Sequence, residues 1–136
     1  MIPPVWVPLA AVFAIHDRQI ARHGGKGGLR DRALLESGCS RPMNLWAYGS
    51  PSLAELAASY AFGITKAHAF LDGNKRTAFV TAVTFLRLNG FSFKPDPVQG
   101  VQMMEGLAAG EVSESDLARW LEGSRPIPPR NESDRS

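Results

Sequence analysis

One short stretch of this chain carries residues that could transfer a phosphoryl group. It runs from His68 through Asp72 to Arg76 and has the sequence HAFLDGNKR. An imidazole can accept a proton from a hydroxyl group near neutral pH. A carboxylate offers a hard oxygen ligand for Mg²⁺, which binds proteins through one or two carboxylates together with phosphates. Lys75 and Arg76, with the backbone N–H groups from Gly73 onward, could hold phosphate oxygens and neutralise charge in the transition state.

The stretch leads directly into a segment that predicts a buried helix. Residues 78–88 are apolar on almost every side, and a helix without a polar face is packed on by its neighbours. Asn89 and Gly90 supply a helix stop. Asp72 and Asn74 are natural N-cap residues, yet two cations follow in the first turn, where they oppose the helix dipole. Exposed N–H groups, a glycine and two cations together predict an anion site, and phosphate fits it best.

Two further residues that could take part in chemistry, Cys39 and His16, lie outside this stretch. Cys39 is the single cysteine, which excludes an intramolecular disulfide and is compatible with a reducing compartment. Its apolar-rich surroundings predict a buried thiol, not a nucleophile. One His, one Asp and a distant Cys fall short of a normal zinc ligand set, so we expect no zinc site. His16 lies within a predicted helix, where packing or exposure is the more common role and catalysis the less common one.

The composition describes a globular protein of one domain. The 136 residues suffice to bury a core, and the apolar and charged shares are 44% and 21%. A net charge of +2 is too small to indicate nucleic-acid binding, so no direct contact with nucleic acid is expected. The longest uncharged run, residues 1–16, contains three prolines and is too short to cross a bilayer. It also lacks the basic start of a signal peptide, which predicts a cytoplasmic protein without a membrane partner.

Apolar residues at helical spacing predict an all-α fold that surrounds the motif. The predicted helices cover 9–22, 32–40, 52–67 and 96–108, with a last one after Ser113, around a buried central helix at about 73–89. Ser52 and Glu55 form a capping box. Arg41-Pro42 predicts the end of the second helix and leaves 43–51 as a loop. The domain is predicted to span 1–123, and 124–136 to form a disordered tail because it has almost nothing to bury.

A glycine-rich loop precedes the second predicted helix. Residues 23–28 place four glycines around one lysine, so the backbone there can come close to a ligand or a partner chain. The residue order is not that of a P-loop. The loop is either an ordinary connector or a mobile flap over the site.

The stretch HAFLDGNKR resembles the signature of the Fic fold, His-x-Phe-x-[Asp/Glu]-Gly-Asn-x-Arg. It is most similar to the Doc (death-on-curing) branch, the toxins of Phd/Doc toxin–antitoxin pairs. The resemblance extends from about His16 to Trp120 and includes HDRQIARHGG, GLRDRALLESGCSRP, LAELAASYAFGI and TFLRLNG. It implies a compact Fic-fold helical bundle. It also implies that His68 is the catalytic base, Phe70 a buried anchor of the loop and Asp72 the Mg²⁺ ligand. The residues implied to handle nucleotide phosphates are Gly73, Asn74, Lys75 and Arg76.

Lys75 decides which reaction the resemblance implies. Fic adenylyltransferases have glycine at this position, which leaves room for the diphosphate of the nucleotide. Doc-type proteins carry lysine and pass the γ-phosphate of ATP to a threonine of elongation factor Tu. The resemblance therefore implies a kinase-like protein-hydroxyl phosphotransferase that uses ATP and Mg²⁺ and arrests translation. Adenylyl transfer and a catalytically idle binding module are the alternatives.

The mode of inhibition can also be predicted from the resemblance. Many Fic proteins silence themselves with a Ser/Thr-x-x-x-Glu helix. In this chain no glutamate has Ser or Thr four residues before it. An inhibitor is therefore expected to act in trans, as a Phd-like antitoxin does.

Overall fold

The computed structural model describes residues 2–129, and within them the protein is a bundle of six helices. The helices are α1 (Leu9–His23), α2 (Arg32–Tyr48), α3 (Leu53–Ala67), α4 (Asn74–Leu88), α5 (Pro97–Ala109) and α6 (Glu114–Leu121). Two short strands, β1 (Phe91–Ser92) and β2 (Arg125–Pro126), pair antiparallel with Phe91 opposite Pro126. The predicted all-α fold is confirmed.

The core forms where α3 and α4 pack against each other. Helix α3 also packs against α2 and α6, and α4 packs against α1 and α5. Two thirds of α3 is buried, and its alanines allow this close packing. Tyr60 of α3 and Phe85 of α4 lie with ring centroids 5.3 Å apart, and Trp6 stacks on Phe85 with centroids 5.8 Å apart. The predicted central helix, α4, is therefore one of two helices at the centre of the core, and α3 is the other.

Local capping signals explain where several helices begin and end. Ser52 accepts a hydrogen bond from the Glu55 backbone N–H while the Glu55 carboxylate accepts one from Ser52, so the predicted capping box is confirmed. Ser113 and Asp116 form a second box at the start of α6. Gly90 follows α4 with a φ of 92°, the left-handed conformation that glycine adopts without strain.

The prediction for the second helix is wrong. Helix α2 continues through Pro42 to Tyr48, so residues 43–48 are helical and do not form a loop. Proline removes one backbone hydrogen bond and crowds the preceding turn. Tertiary packing outweighs this cost because Pro42 is buried and α2 lies closely against α3. Gly38 of α2 and Gly63 of α3 face each other in this contact, where a Cβ on Gly38 would lie 2.6 Å from the Gly63 carbonyl oxygen.

The beginning of the predicted tail also needs correction. Residues 125 and 126 form β2, and the Ile127 N–H donates to the Gly90 carbonyl at 2.8 Å. The prediction of a disordered tail from 124 therefore fails for this part, and residues 130–136 lie outside the described range. Between residues 2 and 129 no helix is long and apolar enough to cross a membrane.

Candidate active site

The turn between α3 and α4 holds His68 in an unusual backbone conformation. His68 caps the end of α3 with φ 49° and ψ 42°, and it is the one non-glycine residue with positive φ in the described part of the chain. This left-handed conformation is unfavourable for a residue with a Cβ, and such strain is typical of functional sites. The Arg30 guanidinium stabilises the turn by donating to the His68 carbonyl through Nε, at 3.1 Å, and through Nη2. The His68 side chain remains exposed.

Hydrogen bonds of the Asn74 side chain stabilise this turn. Its Oδ1 accepts from the Phe70 N–H at 3.0 Å, and its Nδ2 donates to the Phe70 carbonyl at 2.9 Å. The same Nδ2 lies 3.3 Å from His68 Nδ1. Both Asn74 and Phe70 are buried. Because the Asn74 amide is engaged inside the turn, its backbone N–H is the group that could take the phosphate role implied by the resemblance.

Asp72 presents an exposed carboxylate on the outer side of the turn. Its Oδ1 accepts from the Gly73 N–H at 2.8 Å, and its Oδ2 accepts from the Lys26 N–H at 3.4 Å. These two hydrogen bonds hold the pKa of Asp72 below its usual range, and the one from Gly73 has the larger effect. The nearby Arg76 lowers the pKa in the same direction. Asp72 is therefore ionised under neutral conditions.

Helix α4 begins without a side-chain cap. Its N-cap is Gly73 in the left-handed conformation (φ 76°), and neither Asp72 nor Asn74 caps the helix as the sequence predicted. The reason is that the Asp72 carboxylate bonds to the Gly73 N–H, while the Asn74 amide turns back to Phe70. The N–H groups of the first turn of α4 are consequently left for a ligand.

The two cations of this first turn have different surroundings. Lys75 Nζ lies 2.9 Å from Glu105 Oε1 of α5, and both side chains are about half exposed. Arg76 Nη2 lies 3.4 Å from the Gly24 carbonyl oxygen. Its buried Nε has no hydrogen-bond partner among the described residues. Lys75 therefore faces α5, and Arg76 faces the glycine loop.

The candidate reactive groups of the motif open onto one groove of about 910 Å³. Its polar end is lined by His68, Asp72, Lys75 and Arg76. Phe79 of α4 and Met104 of α5 line its apolar part. The groove thus places a candidate base, a carboxylate and two cations beside a free helix N-terminus and a hydrophobic wall.

The glycine loop packs against the motif. Leu29 forms an isolated antiparallel bridge with Phe70, and the Leu71 N–H donates to the Gly28 carbonyl at 3.1 Å. A Cβ on Gly25 would lie 2.5 Å from Asp72 Oδ2, and the φ of Gly25 is 112°, a conformation that favours glycine. The loop is held at its C-terminal end and lies beside Asp72; its proposed role as a flap stays a prediction.

Sequence reasoning missed two residues of this site and did not assign a third, His16, to it. Arg30 and Glu105 contact motif residues from distant helices or loops, and no local pattern marks either of them. His16 is buried, stacks on Phe70 and has Nε2 2.8 Å from the Asp72 carbonyl oxygen. A signal for His16 did exist, because it shares the buried stripe of α1 with Val12. A polar residue on a core-facing stripe requires a partner.

The donor set at Asp72 fits a hard cation that also binds phosphate. Within residues 2–129 there is no cluster of three or more His, Cys, Asp or Glu side chains that could hold a metal ion. One ionised, exposed carboxylate next to an uncapped helix N-terminus matches the way Mg²⁺ is bound, through one or two carboxylates with substrate phosphates and water.

Comparisons with known proteins agree with this geometry. The family model described as Fic/DOC family matches residues 6–86, which include every motif residue. The chain is similar to Protein kinase doc of Escherichia phage P1, with 36% identity over 111 residues that cover 81% of this chain and 87% of the relative. It is also similar to Toxin Doc of Mycolicibacterium smegmatis (strain ATCC 700084 / mc(2)155), with 40% identity over 76 residues, 54% of this chain and 58% of the relative.

Proposed function

The chain belongs to the Fic/DOC family, and from this premise we propose that it is a Doc-type toxin with protein-hydroxyl phosphotransferase activity. The proposed reaction moves the γ-phosphate of ATP, with Mg²⁺, to a threonine of elongation factor Tu, and the consequence is arrest of translation. One observation carries the proposal: His68, Asp72, Lys75 and Arg76 line a single groove at the uncapped start of α4.

His68 is the proposed general base, and its contact with Asn74 supports Nδ1 as the nitrogen that accepts the proton. An amide nitrogen can only donate, so the 3.3 Å contact with Asn74 Nδ2 requires Nδ1 of His68 to accept. A neutral ring then carries its proton on Nε2 and keeps its lone pair on Nδ1. The threonine hydroxyl would replace the Asn74 amide as the donor to Nδ1, and the proton would pass to His68.

The rest of the groove serves the phosphates. As the hydroxyl oxygen bonds to the γ-phosphorus, the bond to the bridging oxygen breaks and ADP leaves with its electron pair. The N–H groups of the first turn of α4, with Lys75 and Arg76, would stabilise the charge on the phosphate oxygens. Asp72 would hold Mg²⁺, which neutralises phosphate charge when bound.

A labelled-nucleotide assay tests the reaction. The purified protein is incubated with elongation factor Tu and ATP carrying ³²P at the γ position. We expect label on the factor with wild type and none with His68→Ala. Label that arrives only from α-labelled ATP would replace this proposal by adenylyl transfer. Calorimetry with ATP and Mg²⁺ is the control, since a wild type that binds neither would instead be an idle binding module.

The proposed partner is a Phd-like antitoxin supplied in trans. Support comes from the missing Ser/Thr-x-x-x-Glu pattern and from two exposed apolar residues of α5, Val98 and Val101, the second of which lines the groove. Expression of the chain alone should stop growth, and co-expression of the antitoxin should restore it. A chain that is harmless at high expression would contradict the toxin proposal. A cytoplasmic location stays a prediction.

A further inference from the structure

His16 makes two specific contacts with the motif from α1. Its imidazole lies parallel to the Phe70 ring, with centroids 3.8 Å apart and an interplanar angle of 9°. Its Nε2 lies 2.8 Å from the Asp72 carbonyl oxygen. A carbonyl only accepts, so Nε2 donates and must carry a proton. The side chain is buried, and its Nδ1 lies 3.9 Å from the exposed Asp17 carboxylate.

The bond from His16 acts on a peptide unit that is held at both ends. The Asp72 carbonyl and the Gly73 N–H belong to the same planar peptide group. His16 donates to the carbonyl end, and the N–H end donates to Asp72 Oδ1 at 2.8 Å. Fixing the peptide plane therefore fixes the direction of the N–H group that holds the Asp72 carboxylate.

We propose that His16 is a positioning residue for the Asp72 carboxylate, acting through the Asp72–Gly73 peptide; the inference rests on the proposed function of Asp72 as the Mg²⁺ ligand. Groups that orient a metal ligand through hydrogen bonds change metal affinity or activity by about 10–100-fold when they are removed. If His16 only filled the core, its loss would lower stability without a selective effect on Mg²⁺.

Two substitutions separate these roles. His16→Phe keeps a stacking ring and removes the donor, whereas His16→Gln keeps an N–H donor of similar reach. ATP binding is measured by calorimetry with Mg²⁺ and with EDTA, and the thermal unfolding midpoint is recorded for each variant. For His16→Phe we expect the Mg²⁺-dependent part of the ATP affinity to fall about tenfold. The affinity in EDTA should be unchanged, and His16→Gln should recover most of the loss.

Tyr60→Phe is the matched control because it removes one buried hydrogen bond, from the Val7 N–H, away from the groove. It should lower the unfolding midpoint and leave the Mg²⁺ effect intact. An unchanged Mg²⁺ effect in His16→Phe would overturn the inference alone. A wild type without Mg²⁺-dependent ATP binding would overturn the proposed function, and the inference with it.

A measurement on wild type covers the case in which His16→Phe does not fold. The His16 Nε2 proton, held in a buried hydrogen bond, can be followed by NMR. Its resonance should shift when Mg²⁺ is added to the ATP complex. A resonance that stays in place while ATP binding tightens would show that His16 does not sense the ligand at Asp72.

Discussion

If Lys75 binds a nucleotide phosphate as proposed, Glu105→Gln is expected to tighten nucleotide binding, because Glu105 would compete with the phosphate for Lys75. The pair joins Lys75 Nζ to Glu105 Oε1 at 2.9 Å across the groove. If Lys75 binds a nucleotide phosphate, it must leave this carboxylate. The substitution removes that competitor and keeps the shape of the side chain.

The size of the effect follows from the exposure of the pair. The two side chains are 44% and 59% exposed, so solvent screens their attraction. Exposed ion pairs of this kind contribute about 0.2–1 kcal/mol. Converted to affinity, this range corresponds to a dissociation constant for ATP that is about 1.4–5-fold lower in Glu105→Gln. Because salt screens exposed charges, the gain should shrink as ionic strength rises.

Calorimetric titration with ATP and Mg²⁺ at low ionic strength is the assay. Glu114→Gln is the matched control, since Glu114 pairs with Arg41 at 3.0 Å and does not line the groove. Its affinity should equal that of wild type. In a Lys75→Gln background, Glu105→Gln should add little, which distinguishes competition for Lys75 from direct repulsion of phosphate. Equal or weaker binding by Glu105→Gln in the wild-type background would refute the reasoning.

Four other predictions concern stability and reactivity. Gly38→Ala should cost about 1–3 kcal/mol in a denaturant titration because the added Cβ meets the Gly63 carbonyl, whereas Gly27→Ala, with open space around it, should be near neutral. Asn74→Ala should cost about 1–3 kcal/mol in the same assay, since it leaves buried backbone groups without partners. Burial raises the pKa of the Cys39 thiol to about 11 from 9.0, so a disulfide reagent should label it slowly at neutral pH and rapidly after denaturation. The neutral Cys39 thiol makes its full contribution to the free energy of unfolding below about pH 9, and this contribution is lost as the pH rises toward about 11. Denaturant titrations at increasing pH measure this loss.

The features that could be predicted from the sequence are those set by neighbouring residues. The capping box at Ser52 and the stop at Gly90 depend on a few consecutive positions, and both are found. Pro42 shows the limit of such reasoning, because its local tendency to end a helix is outweighed by packing of α2 on α3. The motif could be located for the same reason, since its reactive groups lie within nine consecutive residues. The burial of His16 could be predicted from its helical stripe, but its partner could not, because Asp72 lies 56 positions away.

Residue type alone could not divide the motif into the groups that build the turn and the groups that face the groove. Asn74 and Phe70 are buried and bonded to each other, so their substitution should lower stability and activity together. His68, Asp72 and Lys75 are at least partly exposed and line the groove, so their substitution should lower activity with little change in the free energy of unfolding. Asn74 and Lys75 are adjacent in the sequence and both polar, and only the path of the turn directs Asn74 to Phe70 and Lys75 to Glu105. A motif residue can therefore be required for the reaction without contacting the nucleotide, and unfolding measured beside binding separates the two cases.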